Sequence, residues 1–375
     1  MKLSKTLAIG FSLFSFLFVL CILFSNSKDV YLFDNTHFFI KNLRSDVLYY
    51  YEIGRNIAVN KLIPYKDFSL EYPPLSAVLF VFPFLFSSSL DFFFVFYRIQ
   101  MLLFFIASFY VIYRLCDKKI ISLLMFLPST VFFSINRYDI VPAFFVFLSF
   151  YFLKKNQSRA FFFLSIAFLF KLYSLLLLPV FILNSKNKIK NILYFSVPIF
   201  LVFFIVFLAA PDEVFSFFTY HLQRETNRES IFFIFQYYFS NSLPFNEISF
   251  IISFLPFLLL PLIKPCFENA LSFSFFVLIW FINFSKFYSP QWLVWIFPLG
   301  LLFFDKKSLI FLSGLNILNY IEYPVVWFSE IPIKLHFIGT SNFFSFIVAV
   351  RFILSLATAY FAFSRINFSR LKIRI

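Results

Sequence analysis

The longest polar stretch of this sequence, residues 44–75, gathers four acidic side chains. They are Asp46, Glu52, Asp67 and Glu71, from only 18 acidic residues in the whole chain. Carboxylates can accept protons from a reacting group, and tyrosines crowd around these four. Because the stretch directly follows the first hydrophobic segment, it predicts chemistry on a loop between two membrane spans.

The rest of the chain is hydrophobic enough to require a bilayer. Of its 375 residues 61% are hydrophobic and 25% aromatic, with 70 Phe and a mean hydropathy of +0.87. A soluble domain cannot hide that much apolar surface. The net charge of +14 comes in short basic clusters between hydrophobic runs. This pattern is typical of basic residues that set the orientation of membrane spans and contact membrane lipids, and it excludes a nucleic-acid partner.

Hydrophobic segments predict an all-α, polytopic membrane bundle of roughly 11–13 helices, some short or re-entrant, forming a single domain over 1–375. The segments are 6–25, 74–88, 91–115, 120–135, 138–153, 160–171, 172–184, 191–210, 247–263, 269–285, 292–304, 309–328 and 343–363. Basic residues at both termini predict cytoplasmic ends, so thirteen full crossings cannot all occur. We expect 74–88 or 91–115 to be re-entrant or wrongly bounded.

Two segments near the middle of the chain are short. Lys154 and Lys155 precede them and Lys186 follows, so both ends of this stretch are expected inside. Each arm then rises only about 18 Å, against a hydrocarbon core of about 30 Å. We expect a short hairpin whose tip, near Lys171, enters the membrane from outside and faces a cavity.

The same topology assigns 26–73 and 211–246 to the first and second extracytoplasmic loops, the first with an amphipathic helix. Polar groups are costly at the mouth of a membrane bundle, which makes them candidates for a site. Those on the predicted outer face are Asp34, Asp46, Glu71, Arg137, Asp139, Lys171, His221, Arg224, Arg228, Glu229, Lys286 and Gln291. Within the last spans, Glu322 and Arg351 are expected to pair with each other.

Several motifs occur along the chain in a fixed order. They are Asp46 with Pro64-Tyr65-Lys66-Asp67, Glu71-Tyr72-Pro73-Pro74-Leu75, Arg137-Tyr138-Asp139, Lys171 before Leu-Tyr-Ser, Arg228-Glu229-Ser230, and Lys286-Phe-Tyr-Ser-Pro-Gln291-Trp292. Over residues 1 to about 305 the order resembles GT-C membrane glycosyltransferases. The similarity is greatest to polyprenyl-phosphate-mannose-dependent mannosyltransferases of glycosyltransferase family 87. It is more distant to the catalytic subunit of GPI mannosyltransferase I.

The resemblance implies transfer of a hexose, mannose in that family, from polyprenyl (dolichyl) phosphate to a lipid-linked or glycan acceptor, with inversion. A phosphate leaves without a general acid, so the enzyme supplies a base and positive charge. By resemblance Asp46 is the base; the alternative is a helix N-cap. His221 is a second candidate base, or a surface residue.

The remaining candidates are assigned to substrate binding, each with a plainer alternative. Lys171, Arg224 and Arg228 suit phosphate, although either arginine can instead pair with a neighbouring glutamate. If helical, the two arginines share one face. Glu71 can bind a sugar hydroxyl or remain a solvated acid. The others, with structural roles as alternatives, are Tyr65, Tyr72, Arg137, Asp139, Glu229, Lys286 and Gln291; Arg137 and Asp139 can pair locally.

One departure from the GPI enzyme bears on cofactors. That enzyme carries Asp-x-Asp in this loop, whereas here only Asp46 stands there, followed by Val47 and Leu48. No cofactor is therefore assigned, no metal ligands are predicted, and a divalent metal requirement stays open. The three cysteines and three histidines show no zinc-site spacing.

Two other classes of function compete with the enzyme. A transporter or lipid flippase would also need a charged cavity, but here the carboxylates concentrate in one loop and not at the bilayer midplane. A structural scaffold leaves those acids unexplained. We therefore expect a multi-pass enzyme in a prokaryotic cell membrane, with its active site facing away from the cytoplasm.

Overall fold

The computed structural model describes residues 46–239, 244–327 and 342–368. Across these residues the chain forms helices and no named strand, which confirms the predicted all-α membrane bundle. In chain order the helices are α1 Asp46–Ala58, α2 Leu75–Val81, α3 Leu90–Leu115, α4 Pro128–Asn136, α5 Ile140–Leu153, α6 Gln157–Phe170, α7 Leu178–Leu183, α8 Lys188–Ala209, α9 Ser216–Gln223, α10 Ile231–Phe239, α11 Phe245–Phe254, α12 Phe267–Phe284, α13 Leu293–Gly300, α14 Lys306–Tyr320 and α15 Asn342–Phe363.

Shorter turns extend or precede several of these helices. The 3-10 turns are Phe82–Leu85, Lys119–Phe126, Leu172–Leu177, Leu255–Leu262 and Pro290–Trp292. The stretch Ile321–Val326 continues α14 and is kinked at Tyr323, whose backbone is extended. Within the described part, six helices are long and apolar enough to cross a membrane: Leu90–Leu115, Lys188–Ala209, Phe245–Leu262, Phe267–Phe284, Lys306–Val326 and Asn342–Phe363. Segment 91–115 is therefore full-length, whereas 74–88 yields only the short helix Leu75–Leu85.

Segment 120–135, expected as one helix, is broken. Its two parts, Lys119–Phe126 and Pro128–Asn136, meet at 62°. Leu127 between them is extended, since a residue that precedes proline is disfavoured in the helical region. Arg137 is the residue at which α4 ends, and it is buried.

The short hairpin around Lys171 is present. Helix α6 ends at Phe170, Lys171 is extended, and the chain returns through Leu172–Leu177 and α7. Both arms are shorter than a bilayer-spanning helix. Asn156 begins α6 by accepting a hydrogen bond from the Arg159 backbone N–H, which sharpens the turn before it.

Helix α1 is the expected helix of the first loop, and a close contact fixes it on α2. A Cβ added to Gly54 would lie 2.2 Å from the carbonyl oxygen of Phe80. One turn earlier, Tyr50 stacks on the Phe80 ring with centroids 4.5 Å apart. Tyr97 and Tyr138 enclose the same ring pair, and all four side chains are fully buried. This packing places Asp46, the first residue of α1, against the bundle.

Some predicted features lie outside the described residues. They are the first span 6–25, the first loop before Asp46 with Asp34 in it, and residues 240–243 of the second loop. The same holds for residues 328–341 and for the basic tail from residue 369.

Candidate active site

A cavity of ≈ 1780 Å³ lies where the first loop, the hairpin tip, the second loop and the last spans meet. Its polar walls carry Asp46, Glu71, Arg98, Asn136, Arg137, Lys171, His221, Arg224, Glu229, Glu247, Lys286 and Gln291. The same lining includes apolar side chains from the hairpin, from α11 with the turn after it and from α12, which together we call the apolar arm: Leu172, Leu175, Leu176, Leu178, Pro179, Phe250, Ile251, Phe254, Phe257 and Phe281. One cavity thus has a charged part of its lining, which we call the chamber, and an apolar part, the apolar arm.

Asp46 meets Arg137 at the chamber wall. The carboxylate oxygen Oδ2 lies 2.6 Å from Arg137 Nε. The arginine side chain is buried, whereas 39% of the aspartate side chain stays accessible. Two further groups hold the guanidinium, because it donates to the Asn136 carbonyl at 3.0 Å and to the Tyr323 hydroxyl at 3.2 Å. The result is a fixed cation beside an accessible carboxylate.

Lys171 pairs with Asp139 and lines the cavity from the hairpin tip. Its Nζ donates to Asp139 Oδ1 at 2.6 Å, and the indole of Trp295 donates to the same oxygen at 2.8 Å. Asp139 is fully buried behind the lysine and does not line the cavity. The expected local pair between Arg137 and Asp139 is therefore wrong. Each of the two has instead found a partner from a distant part of the chain.

Glu71 lines the cavity beside side chains of α9. A hydrogen bond with Glu71 helps burial to raise the pKa of Tyr220 to about 12. Burial first, and then the positive charge of Arg224, lowers the pKa of His221 to about 4, so this imidazole is neutral at pH 7. The Arg224 guanidinium stacks on Phe287, with its Cζ 3.4 Å from the ring centroid.

Arg224 and Arg228 do not share a helix face, because α9 ends at Gln223 and residues 224–230 are not helical. Arg228 is not among the side chains that line the cavity. Glu229 is, and it accepts a hydrogen bond from Asn227 at 2.7 Å. Burial, followed by the negative charge of Glu322, raises the pKa of Glu229 to about 7.

Lys286 and Gln291 both face the cavity from the segment after α12. Lys286 Nζ donates to the carbonyl of Leu222 at 2.7 Å, which ties this segment to the end of α9. Burial lowers the pKa of Lys286 below its ordinary value. Next along the chain, Trp292 stacks on Trp295 with centroids 5.0 Å apart, and both rings belong to the wall.

The two tyrosines of the first loop have different positions. Tyr72 lines the cavity and packs edge-on against Tyr138, with centroids 5.1 Å apart. Tyr65 is buried away from it, and its hydroxyl donates to the Tyr72 carbonyl at 2.5 Å. Tyr65 thus has a structural contact within the first loop, and its predicted contact with substrate stays a prediction.

Arg98 is a cavity residue that the sequence analysis did not single out. It lies in α3, is almost fully buried, and faces the same chamber as Arg137. The rule that makes charged residues inside apolar segments functional candidates applies to Arg98 as it does to Lys171. Tyr323, whose hydroxyl accepts from Arg137, was also missed, and nothing local in the sequence distinguishes it from other tyrosines at membrane interfaces.

The chamber therefore combines cations suited to phosphate oxygens with carboxylates suited to hydroxyl groups. Among the described residues, no group of three or more His, Cys, Asp or Glu side chains is arranged to hold a metal ion. The chain offers this site Arg98, Arg137, Lys171, Arg224 and Lys286 as positive charges.

Comparisons with known proteins agree with this chemistry. A search of curated proteins found no match to the chain. The sequence model of glycosyltransferase family 87 matches residues 70–282, more than half of the chain. The matched stretch contains Glu71, Lys171 and Glu229 and begins after Asp46. The chain therefore belongs to glycosyltransferase family 87, and it is a multi-pass membrane glycosyltransferase.

Proposed function

We propose that this enzyme transfers a hexose, mannose in the proteins it resembles, from a polyprenyl phosphate to a hydroxyl group of a lipid-linked or glycan acceptor. The carrying observation is the mixed lining of one cavity, to which the charged chamber and the apolar arm both contribute. A polyprenyl-phosphate sugar has the matching shape, with a hydrocarbon tail joined to an anionic phosphate and a polar sugar.

In the proposed reaction Asp46 takes the proton of the acceptor hydroxyl. The oxygen attacks the anomeric carbon, and the bond from that carbon to the phosphate oxygen breaks, with its electron pair leaving on the phosphate. One displacement from the opposite side inverts the anomeric centre. Because Arg137 contacts Oδ2 and much of the Asp46 side chain is accessible, the carboxylate remains within reach of an acceptor.

The departing phosphate gains negative charge as the bond breaks, so fixed positive charge lowers the barrier. Lys171 and Arg224 are the proposed phosphate ligands on the cavity wall, and Arg137 and Arg98 add positive charge to the same chamber. Arg228 lies off the wall, and its proposed phosphate contact would require the second loop to move. Glu71, Tyr72 and Gln291 are left to bind sugar or acceptor hydroxyl groups.

The apolar arm supports a lipid donor over a nucleotide sugar. Phe250, Ile251 and Leu175, which belong to it, are exposed side chains. Burial of apolar surface contributes about 25 cal/mol per Å², so a long hydrocarbon chain binds strongly in such a groove. We propose further that the cavity opens on the extracytoplasmic face of a prokaryotic cell membrane, in keeping with the basic clusters on the opposite turns.

The test is sugar transfer by the purified protein in lipid vesicles. Radiolabelled polyprenyl-phosphate mannose is supplied with a lipid-extract acceptor, and nucleotide sugars are supplied in parallel. Transfer from the polyprenyl donor that is lost in Asp46→Asn supports the proposal. The matched control is Asp212→Asn, which changes an exposed carboxylate outside the cavity and should keep full activity.

Three results would contradict all or part of this proposal. Full activity of Asp46→Asn removes the aspartate from the role of base. Transfer only from nucleotide sugars removes the lipid donor while keeping the enzyme class. Uptake of lipid across the vesicle membrane without any transfer would favour a flippase.

A further inference from the structure

Beneath the cavity wall lies a buried ion pair that takes no part in the proposed chemistry. Arg351 of α15 donates through Nε to Glu322 Oε2 at 2.5 Å, and neither side chain reaches solvent or the cavity. This confirms the pairing predicted from the sequence. An ion pair in such a place is costly to desolvate, so its other contacts are informative.

Arg351 reaches two loop segments at once. A second guanidinium nitrogen, Nη2, donates to the backbone carbonyl of Glu229. The flat face of the guanidinium covers the ring of Tyr288, with Cζ 3.5 Å from the centroid. Glu229 and Tyr288 belong to the second loop and to the segment after α12, so one side chain supports both.

The two segments are also joined directly to each other. Asn227 binds the backbone of Tyr288 on both sides: it donates to the carbonyl at 2.6 Å and accepts from the N–H at 2.9 Å. Ser230 donates to the Ser285 carbonyl at 3.1 Å. The Tyr288 hydroxyl donates to Asn319 of α14 at 2.6 Å. Arg351 thus supports two segments that are hydrogen-bonded to each other, and we call this pair of segments the unit.

Glu322, the acidic partner of Arg351, lies next in the chain to a residue that contacts Arg137. Glu322 is followed in the chain by Tyr323, whose hydroxyl accepts from the guanidinium of Arg137. A displacement of Glu322 would therefore act on the Asp46–Arg137 pair through Tyr323. Glu229 and Gln291, which also line the cavity, belong to the unit that Arg351 supports.

We propose that Glu322–Arg351 is a positioning pair, which sets the segments carrying Glu229 and Gln291 at a fixed distance from Arg137 in the cavity. The pair touches no substrate. The proposal rests on the cavity as the place of sugar transfer. Arginine is needed because its planar fork bonds Glu322 and the Glu229 carbonyl together while its face covers Tyr288. A lysine has one nitrogen and no such face.

The first test separates positioning from simple charge balance. Arg351→Lys keeps the positive charge, and we expect it to fold while kcat falls by about 10- to 100-fold, the loss typical of misplaced groups. We expect KM to change much less. The double variant Glu322→Gln with Arg351→Met removes both buried charges, and we expect folded protein with a similar loss in kcat. Wild-type kcat in either variant overturns the proposal.

The second test does not depend on sugar transfer. A spin label is attached to a cysteine at Glu225, an exposed position of the second loop, after replacement of the native cysteines. We expect Arg351→Lys to increase the mobility of this label. A label at exposed Asp212, before α9, is the matched control and should be unaffected. Unchanged mobility at position 225 contradicts the positioning role.

The two tests fail independently. If the wild-type protein transfers no sugar from any donor, the proposed function is wrong, yet the label still reports whether Arg351 holds the loop. If transfer occurs and both readouts ignore Arg351, the proposed function stands and the positioning pair does not. Arg365→Met, at an exposed ion pair with Asp305, is the control for loss of an arginine charge and should leave kcat unchanged.

Discussion

Two arginine–carboxylate pairs of this enzyme use the same chemical groups in different surroundings. In the Asp46–Arg137 pair, 39% of the carboxylate side chain is accessible and the pair lines the cavity. In the Glu322–Arg351 pair the carboxylate side chain has no accessible surface, and the pair lies behind the wall.

The difference in access separates what the pairs can do. An accessible carboxylate can exchange its arginine for an incoming hydroxyl or lose it to a phosphate, because water and substrate compensate both charges. A fully buried pair cannot, since separation would leave a charge without solvent. The first pair is therefore suited to chemistry and the second to structure.

Removal of the accessible carboxylate should affect the rate more than the fold. For Asp46→Asn we expect kcat to fall by about 10²- to 10⁴-fold, the range for loss of a general base. Stability should fall by about 1–3 kcal/mol, because the buried guanidinium of Arg137 loses its counter-charge while the amide oxygen can still accept a hydrogen bond from it. Transfer assays and thermal unfolding in detergent give the two numbers. A large loss of stability with a modest loss of rate would reverse the assignment.

Removal of the buried arginine should lower stability far more than removal of the accessible carboxylate does. Arg351→Met leaves Glu322 as an unpaired buried charge, and we expect a loss of about 3–5 kcal/mol in stability. The additional change Glu322→Gln should restore most of it, because no charge then remains. Denaturant or protease unfolding of the three proteins provides the measurement. Equal stability of the single and double variants would contradict this expectation.

A change behind Asp46 should disturb only the accessible pair. In Gly54→Ala the new Cβ meets the Phe80 carbonyl, so α1 must shift from α2. We expect a cost of about 1–3 kcal/mol, as for other overpacked sites, together with reduced kcat. Spin-label distances from α1 to α2 would detect the shift. A substitution without effect on either quantity would show that α1 tolerates displacement.

Glu229 lines the cavity with its side chain and accepts a hydrogen bond from Arg351 with its backbone carbonyl. Its protonation should make stability depend on pH. In the fold its pKa is about 7, against an ordinary value of 4.5, with Glu322, Arg351 and Arg228 as charged neighbours. The folded state retains a proton that the unfolded state releases. This contribution is complete below about pH 4.5 and is lost as the pH rises through about 7.

Glu229→Gln should remove that dependence. The difference in unfolding free energy between wild type and variant should therefore change by about 1–3 kcal/mol between about pH 4.5 and about pH 8. His221 contributes in the opposite direction, because its pKa is lowered to about 4, but it is present in both proteins. A constant difference across this range would contradict the raised pKa.

The exposed pair Asp305–Arg365 sets the lower end of the comparison. Both side chains are about half accessible, and such pairs contribute about 0–1 kcal/mol. Arg365→Met should shift the unfolding free energy by no more than this. A loss as large as that of Arg351→Met would show that burial does not govern the value of these pairs.

Features that depend on local composition were predictable. The short arms around Lys171 follow from the basic clusters that bound them, and the Glu322–Arg351 pair follows from two charges alone in apolar segments. The same reasoning makes Arg98, a charged residue within the apolar segment 91–115, a candidate site residue. The continuous apolar run over 120–135 predicts one straight helix, although Pro128 marks the bend that the structure has at Leu127.

Partners across the chain were not predictable. Arg137 and Asp139 are two residues apart, yet Arg137 binds Asp46 from the first loop and Asp139 binds Lys171 from the hairpin tip. The apolar arm of the cavity likewise forms between the hairpin and α11, segments that look like ordinary lipid-facing helices in the sequence.

Hydrophobic run length, basic turns and helix start signals are properties of neighbouring residues, so the sequence alone determined the membrane bundle, its short hairpin and the pool of candidate side chains. Which carboxylate meets which cation depends on how helices distant in sequence pack. Only the tertiary structure decided that, because a charge in a desolvated interior binds whichever opposite charge the packing brings within reach.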